Sequence, residues 1–101
     1  MRYETVIGLE VHIELATESK IFCSCSAKFG GEQNDHVCPA CCGMPGMLPI
    51  VNKKVVELGM TAGMMLNCDI NRVTTFDKKS YYYPDLPCSY QTTQWFAPVS
   101  V

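Results

Sequence analysis

Residues 23–42 read CSCSAKFGGEQNDHVCPACC, and the reading of this stretch decides what kind of fold the chain can have. It carries neither the 3.6-residue period of a helix nor the two-residue period of a strand, so it is a loop that needs its own staple. Cys23-x-Cys25, twelve intervening residues and Cys38-Pro39-Ala40-Cys41 supply two short chelating loops. A four-thiolate zinc site needs two such loops brought together; Cys38-x-x-Cys41 is its usual half, with Pro39 stiffening the turn. The Cys23-x-Cys25 half is tighter than usual, and Gly30 and Gly31 let the connection reverse. The spacing favours a structural zinc over the two other readings, buried free thiols and a redox pair. Cys42 is then spare, and His36, which could replace one sulfur, is read as a loop residue. Cys68 and Cys88 are expected to pack as small hydrophobes.

Upstream, the odd positions from Tyr3 to Leu15 read Tyr, Thr, Ile, Leu, Val, Ile, Leu and the even ones Glu, Val, Gly, Glu, His, Glu. This alternation predicts a long strand with one buried face, followed by a short extended piece over 17–22. Downstream, Pro45, Gly46 and Pro49 end the loop. Asn52 is placed to N-cap a helix over about 53–66, with Asn67 as its left-handed cap. Gly59 and Gly63 share one face of that helix. Each costs about 1 kcal/mol against alanine, which close packing against a sheet would offset. Residues 68–76 read as a second strand, 77–94 as a loop rich in Tyr and Pro, and 95–101 as another extended piece. The sum is an α+β chain: a mixed or antiparallel sheet with a packed helix.

The 101 residues leave room for one domain with a marginal core, since at this size roughly a third of the unfolded surface stays in water. A staple, a partner or a further length of chain would help, and the apolar ending on Val99 and Val101 looks cut rather than finished. Eight Lys plus Arg against ten Asp plus Glu give a net charge of −2, too mild for a general nucleic-acid or membrane-surface binder. Seven cysteines cannot all pair within one chain. The N-terminus lacks the charged and apolar regions of a secretory leader, so a cytoplasmic location is expected. No apolar stretch approaches the ~20 residues of a membrane span.

Two further constellations invite chemistry. Glu10, His12 and Glu14 share the polar face of the first predicted strand, with neighbouring Cα atoms roughly 6.5 to 7 Å apart. Glu10 and His12 could lean onto one divalent cation, with Gly8 leaving room for a phosphate or water. On alternation alone, a solvated strand face is the better reading. Residues 77–94 set Lys78 and Lys79 beside Tyr81, Tyr82 and Tyr83, with Gln91 and Gln94 following. Such a set suits phosphate binding and base stacking, and equally a proline-stiffened surface loop. Lys53 and Lys54 at the helix start are read as a solvated face.

Four segments, IGLEVHIEL (7–15), SKIFCSCSAKFG (19–30), CPACCGMPGMLPIVNKK (38–54) and FDKKSYYYPDLPCSYQTTQ (76–94), occur in an order and spacing that resembles the start of the cradle domain of the B subunit of aspartyl/glutamyl-tRNA amidotransferases. The resemblance covers essentially the whole chain. It implies that residues 1–101 are the N-terminal portion of a catalytic cradle similar to the glutamine synthetase fold, with 23–42 as a zinc-knuckle insertion. The activity it implies is ATP-dependent phosphorylation of the side-chain carboxylate of Glu-tRNA(Gln) or Asp-tRNA(Asn), then amidation with glutamine-derived ammonia. The A and C subunits of that heterotrimer and misacylated tRNA would be the partners, and no membrane is involved.

By the same resemblance Glu10 and His12 fall on a catalytic Mg²⁺ or Mn²⁺ pair, and Cys23, Cys25, Cys38 and Cys41 on zinc ligands. Lys78, Lys79, Tyr81 and Gln91 are expected at the nucleotide. Cys88-Ser89 stands where the family has Lys-Gly, and Ser80 replaces a usual Asn. The chain alone is expected to be inactive. The alternative from another class is a non-catalytic zinc-stapled module that binds RNA or protein.

Overall fold

Among the described residues the chain has one helix, and its start is written in the sequence. In the computed structural model, which describes residues 1–101 apart from the side chains of Pro87 and Cys88, α1 spans Lys53–Met65. The expectation for Cys88 lies outside the described residues. The Asn52 side chain accepts from the Lys54 N–H at 2.9 Å and its amide donates to Ser19 Oγ at 2.9 Å, so the cap also ties the helix to the segment before the cysteines. Leu66 ends the helix and Asn67 follows at φ 59°, as the left-handed reading requires. Lys53 and Lys54 lie near Glu57, at 4.0 and 3.5 Å, on an exposed face.

The glycine face of α1 packs as its spacing implies, at one position closely. A Cβ on Gly63 would lie 2.8 Å from Ser100 Cβ and 2.9 Å from Ile70 Cδ1, whereas one on Gly59 would meet only Val99 Cγ1, at 3.9 Å. Opposite signs follow for two similar substitutions. Gly59→Ala is expected to stabilise by about 0.5–1 kcal/mol through helix propensity and the unfolded chain. Gly63→Ala is expected to destabilise by about 1–2 kcal/mol, because overpacking against Ser100 outweighs the same gain. Urea melts of both variants check the pair.

Residues 69–75 run antiparallel to 97–101, with Asp69 and Val101 exchanging both hydrogen bonds and Asn71 N–H bonded to Val99 O at 3.0 Å. The predicted strands over 68–76 and 95–101 are therefore a broken ladder rather than continuous strands. The loop reading of 77–94 is corrected outright. β1, Asp77–Tyr83, and β2, Leu86–Thr93, form an antiparallel hairpin around the two-residue turn Pro84-Asp85, with a register shift between Tyr81 and Tyr83. The tyrosine run and the Thr92-Thr93 pair are good strand residues, but the polar Lys, Ser and Gln among them hide the alternation. Gln94, grouped with Gln91 by sequence, is spent on structure: its amide donates to Thr74 Oγ1 and Thr75 O and accepts from Val99 N–H.

The long first strand is the second correction. Among the described residues, 1–16 join no strand ladder, and the apolar face stands open, Leu9 at 91% and Ile13 at 67% exposure. Alternation specifies which side chains a strand would bury; it provides neither the neighbouring strand nor the covering layer. Among the described residues only Cys23 and Gly63 are buried. The radius of gyration, 16.7 Å, exceeds the value of about 13 Å for a compact domain of this length. No helix among the described residues is long and apolar enough to cross a membrane.

Candidate metal centre

With so little apolar burial, the cysteine segment must be held by something other than a core. Its first chelating loop sits inside a tight reversal: Ser19 and Ser26 form an antiparallel bridge, Lys20 N–H bonds to Cys25 O at 2.9 Å and Ala27 N–H to Glu18 O at 2.9 Å. This reversal brings Cys23 and Cys25 to one side despite their short spacing. The second loop is a succession of turns, with Cys42 N–H on Cys38 O at 3.0 Å, Gly43 N–H on Ala40 O and Met44 N–H on Pro39 O, each at 3.1 Å. Gly30, Gly31 and Gly43 all take positive φ, which permits these reversals.

The sulfurs of Cys23, Cys25, Cys38 and Cys41 all lie within 4.8 Å of one another. Tetrahedral zinc with bonds of about 2.3 Å sets sulfurs about 3.8 Å apart, so the cluster needs only a small contraction to close on the ion. Four soft sulfur donors and no carboxylate are the ligand set that zinc selects. Cys42 is exposed and stands outside the group, and so does His36, whose ring lies against Gly31. Cys68 is half-buried.

Two of the thiols differ sharply in acidity. Cys38 is lowered to about 7, chiefly by the backbone N–H of Cys41, with desolvation opposing and the hydrogen bond from Cys25 assisting. Cys25 is pushed up to about 12, first by desolvation and then by its hydrogen bonds with Cys38 and Cys23. One of the four is thus a ready thiolate while its neighbour holds its proton.

Three residues outside the ligand set complete the centre. Lys20 Nζ donates to His36 O and stands 3.9 Å from Cys41 Sγ, a cation beside the sulfur cluster. Tyr90 Oη lies 3.1 Å from both Ala40 O and Cys41 O, and its ring rests on Gly43. Desolvation, then the nearby Cys41, Cys23, Cys42 and Cys38, raise the Tyr90 phenol above its ordinary value, so it keeps the proton it donates. Sequence reasoning missed the roles of Lys20, Tyr90 and Gly43. The only signals were a lysine three residues before the first cysteine and a glycine directly after the last. Phe22 and Phe76 meet edge to face, centroids 5.2 Å apart, at the foot of a cavity of about 510 Å³ between knuckle and hairpin.

The other expected site residues fall in two places. Glu10 and His12 lie on the open N-terminal segment, His12 Nε2 3.6 Å from Glu10 Oε1, both side chains about 90% exposed. On the hairpin, Lys79 is register partner to Gln91 and Tyr81 to Ser89, so Lys79, Tyr81 and Gln91 share one face. Lys78 takes the other, its Nζ 4.7 Å from the Tyr90 ring centroid. Tyr81 is half-buried against Tyr83, while both lysines and Gln91 are exposed.

Fold and site together define an α+β chain with, among the described residues, one helix, a hairpin and a four-cysteine cluster fit for a structural zinc. The family described as the GatB/GatE catalytic domain matches residues 5–101, and the chain belongs to that family. It is 62% identical over 97 residues to the B subunit of the aspartyl/glutamyl-tRNA(Asn/Gln) amidotransferase from Lachnoclostridium phytofermentans, covering 96% of the chain and 20% of that relative. The protein of the same name from Thermoanaerobacter pseudethanolicus is 62% identical over 99 residues, 98% of the chain and 21% of the relative. That from Carboxydothermus hydrogenoformans is 56% identical over 98 residues, 97% of the chain and 20% of the relative. The chain thus spans about a fifth of the length of these relatives.

Proposed function

We propose that residues 1–101 are the opening portion of the catalytic cradle of a tRNA-dependent amidotransferase, with residues 23–42 as its zinc knuckle. The observation that carries this reading is the family match over residues 5–101, a span that takes in the four-sulfur cluster. In this reading the substrate is Glu-tRNA(Gln) or Asp-tRNA(Asn). Its side-chain carboxylate oxygen attacks the γ-phosphorus of ATP and ADP leaves; ammonia then attacks the acyl carbon and inorganic phosphate departs. A glutaminase partner, the A subunit, releases the ammonia from glutamine, the small C subunit holds the pair together, and the complex works in the cytoplasm. In this reading the cradle is similar to that of glutamine synthetase.

Each residue has a physical task in this scheme. A bound Mg²⁺ or Mn²⁺ would gather phosphate oxygens and screen their charge during transfer. Glu10 and His12, whose side chains approach to 3.6 Å, are the ligands this chain offers. Lys79, Tyr81 and Gln91 share a hairpin face suited to a nucleotide: a cation for phosphate, a ring for the base and an amide for its edge. Lys78, on the other face, adds positive charge from the side of the knuckle. Zinc at Cys23, Cys25, Cys38 and Cys41 is structural and takes no part in the transfer.

A chimera tests the proposal. Residues 5–101 replace the matching segment of the Thermoanaerobacter pseudethanolicus relative, which is co-expressed with its A and C subunits and assayed for Gln-tRNA(Gln) formation from Glu-tRNA(Gln). Amide formation in the chimera, and none by the 101-residue chain with the same two partners, is expected. A chimera that assembles and binds zinc yet forms no amide would overturn the catalytic reading in favour of a zinc-stapled binding module.

A further inference from the structure

One side chain of the hairpin is anchored in the knuckle's backbone. Tyr90 leaves β2 to place its hydroxyl 3.1 Å from the carbonyls of Ala40 and Cys41, the backbone of the turn that also presents two of the four sulfurs. Its ring fills the space above Gly43 so closely that a Cβ there would come within 2.6 Å of Tyr90 Cε1. Lys78, the diagonal neighbour of Tyr90 across the ladder through Ser80, sets its ammonium over the same ring. The turn has no apolar core of its own, since Cys23 is the only buried hydrophobic residue among those described. Its carbonyls therefore point in fixed directions only while the sulfurs are gathered. A two-stranded hairpin is marginal in water by itself and takes its order from what it packs against.

We infer that Tyr90 is the positioning residue through which metal loading of the knuckle fixes the β1–β2 hairpin, and with it Lys78 and Lys79. The inference rests on the reading of the four cysteines as a zinc site and extends the role of that zinc from holding a loop to placing a charged hairpin. The order of events is physical: the ion gathers the sulfurs, the 38–43 turn sets, its two carbonyls accept the phenol, and the strand bearing Tyr90 is held. Coupling of this kind is reciprocal, so a Tyr90 variant that releases the hairpin also weakens zinc binding.

Amide hydrogen exchange on the 101-residue chain, zinc-loaded and chelator-treated, tests this with metal content measured in parallel. In the wild type, removing zinc should speed exchange over 77–93 about 10-fold or more, along with 38–44. Tyr90→Phe keeps the ring and loses the hydroxyl; it should retain one zinc and protected 38–44 amides, while the zinc-dependent difference over 77–93 shrinks roughly 2- to 10-fold. Tyr90→Ala should abolish that difference and lower zinc affinity by a similar factor. A merely local role would speed hairpin exchange equally with and without zinc, leaving the difference intact, and that result overturns the inference. Zinc bound with 77–93 indifferent to its removal overturns the coupling alone; no zinc bound at all overturns the metal reading as well.

Discussion

Cys41→Ser is expected to weaken zinc binding roughly 100-fold, so that dialysis against a chelator the wild type withstands removes the ion, and to leave residues 23–46 then open to protease. Zinc binding of a structural four-ligand site amounts to about 10–16 kcal/mol, which at neutral pH is folding free energy for the segment that holds it. Loss of one thiolate in four removes roughly a quarter of it, enough to weaken binding at least ~100-fold, because serine offers no anion at pH 7. Nothing else compensates: the segment has neither helix nor strand, and Cys23 is its only buried residue. The 2.9 Å hydrogen bonds of the 18–27 reversal and the turns over 38–44 are exposed to competing water once the sulfurs separate. Cys42→Ser is the control, since that sulfur lies outside the cluster, and it should keep full zinc content and resistance. Elemental analysis with limited proteolysis reads both variants, and equal losses in the two would refute the ligand assignment.

In the chimeric amidotransferase, Glu10→Gln and His12→Ala are each expected to lower amide formation by at least ~100-fold with zinc content unchanged. The magnitude is that of removing one preorganised electrostatic contact to a transferring phosphoryl group. Both side chains are about 90% exposed and their mutual contact is a loose 3.6 Å, so neither holds the fold of this chain together. A large loss of activity at unchanged stability would therefore report chemistry rather than folding. Glu4→Gln is a fair comparison, because Glu4 lies on the same side of the two-residue period and is likewise exposed, and it should be near wild type. Near-normal activity in the Glu10 and His12 variants would return them to the solvated strand face that alternation alone favours.

What could be read in advance follows the range of the interaction. The helix was legible to within a residue, since its start depends on Asn52 and its end on Asn67, both acting on backbone groups two to four residues away. The cysteine cluster was legible for the same reason, each chelating loop being closed within four residues. The hairpin was not: Tyr, Lys, Ser and Gln have no apolar alternation, and only the pairing of Lys79 with Gln91 and Tyr81 with Ser89 reveals two faces. The first segment failed in the other direction. Its alternation is nearly strict, yet Ile7, Leu9, Val11 and Ile13 stay in water because a strand is stabilised by neighbours and not by its own pattern.

The amino-acid sequence by itself determined the α+β class, the capped helix, the four-cysteine cluster and the family. Tertiary structure alone decided that Lys78 and Lys79 face opposite ways, that Gln94 serves the backbone, and that Tyr90 joins hairpin to knuckle across about 50 residues. Caps and chelating loops are local, so residue type and spacing settle them. Facing, burial and cross-chain contact depend on which distant segments meet, and no local pattern carries that.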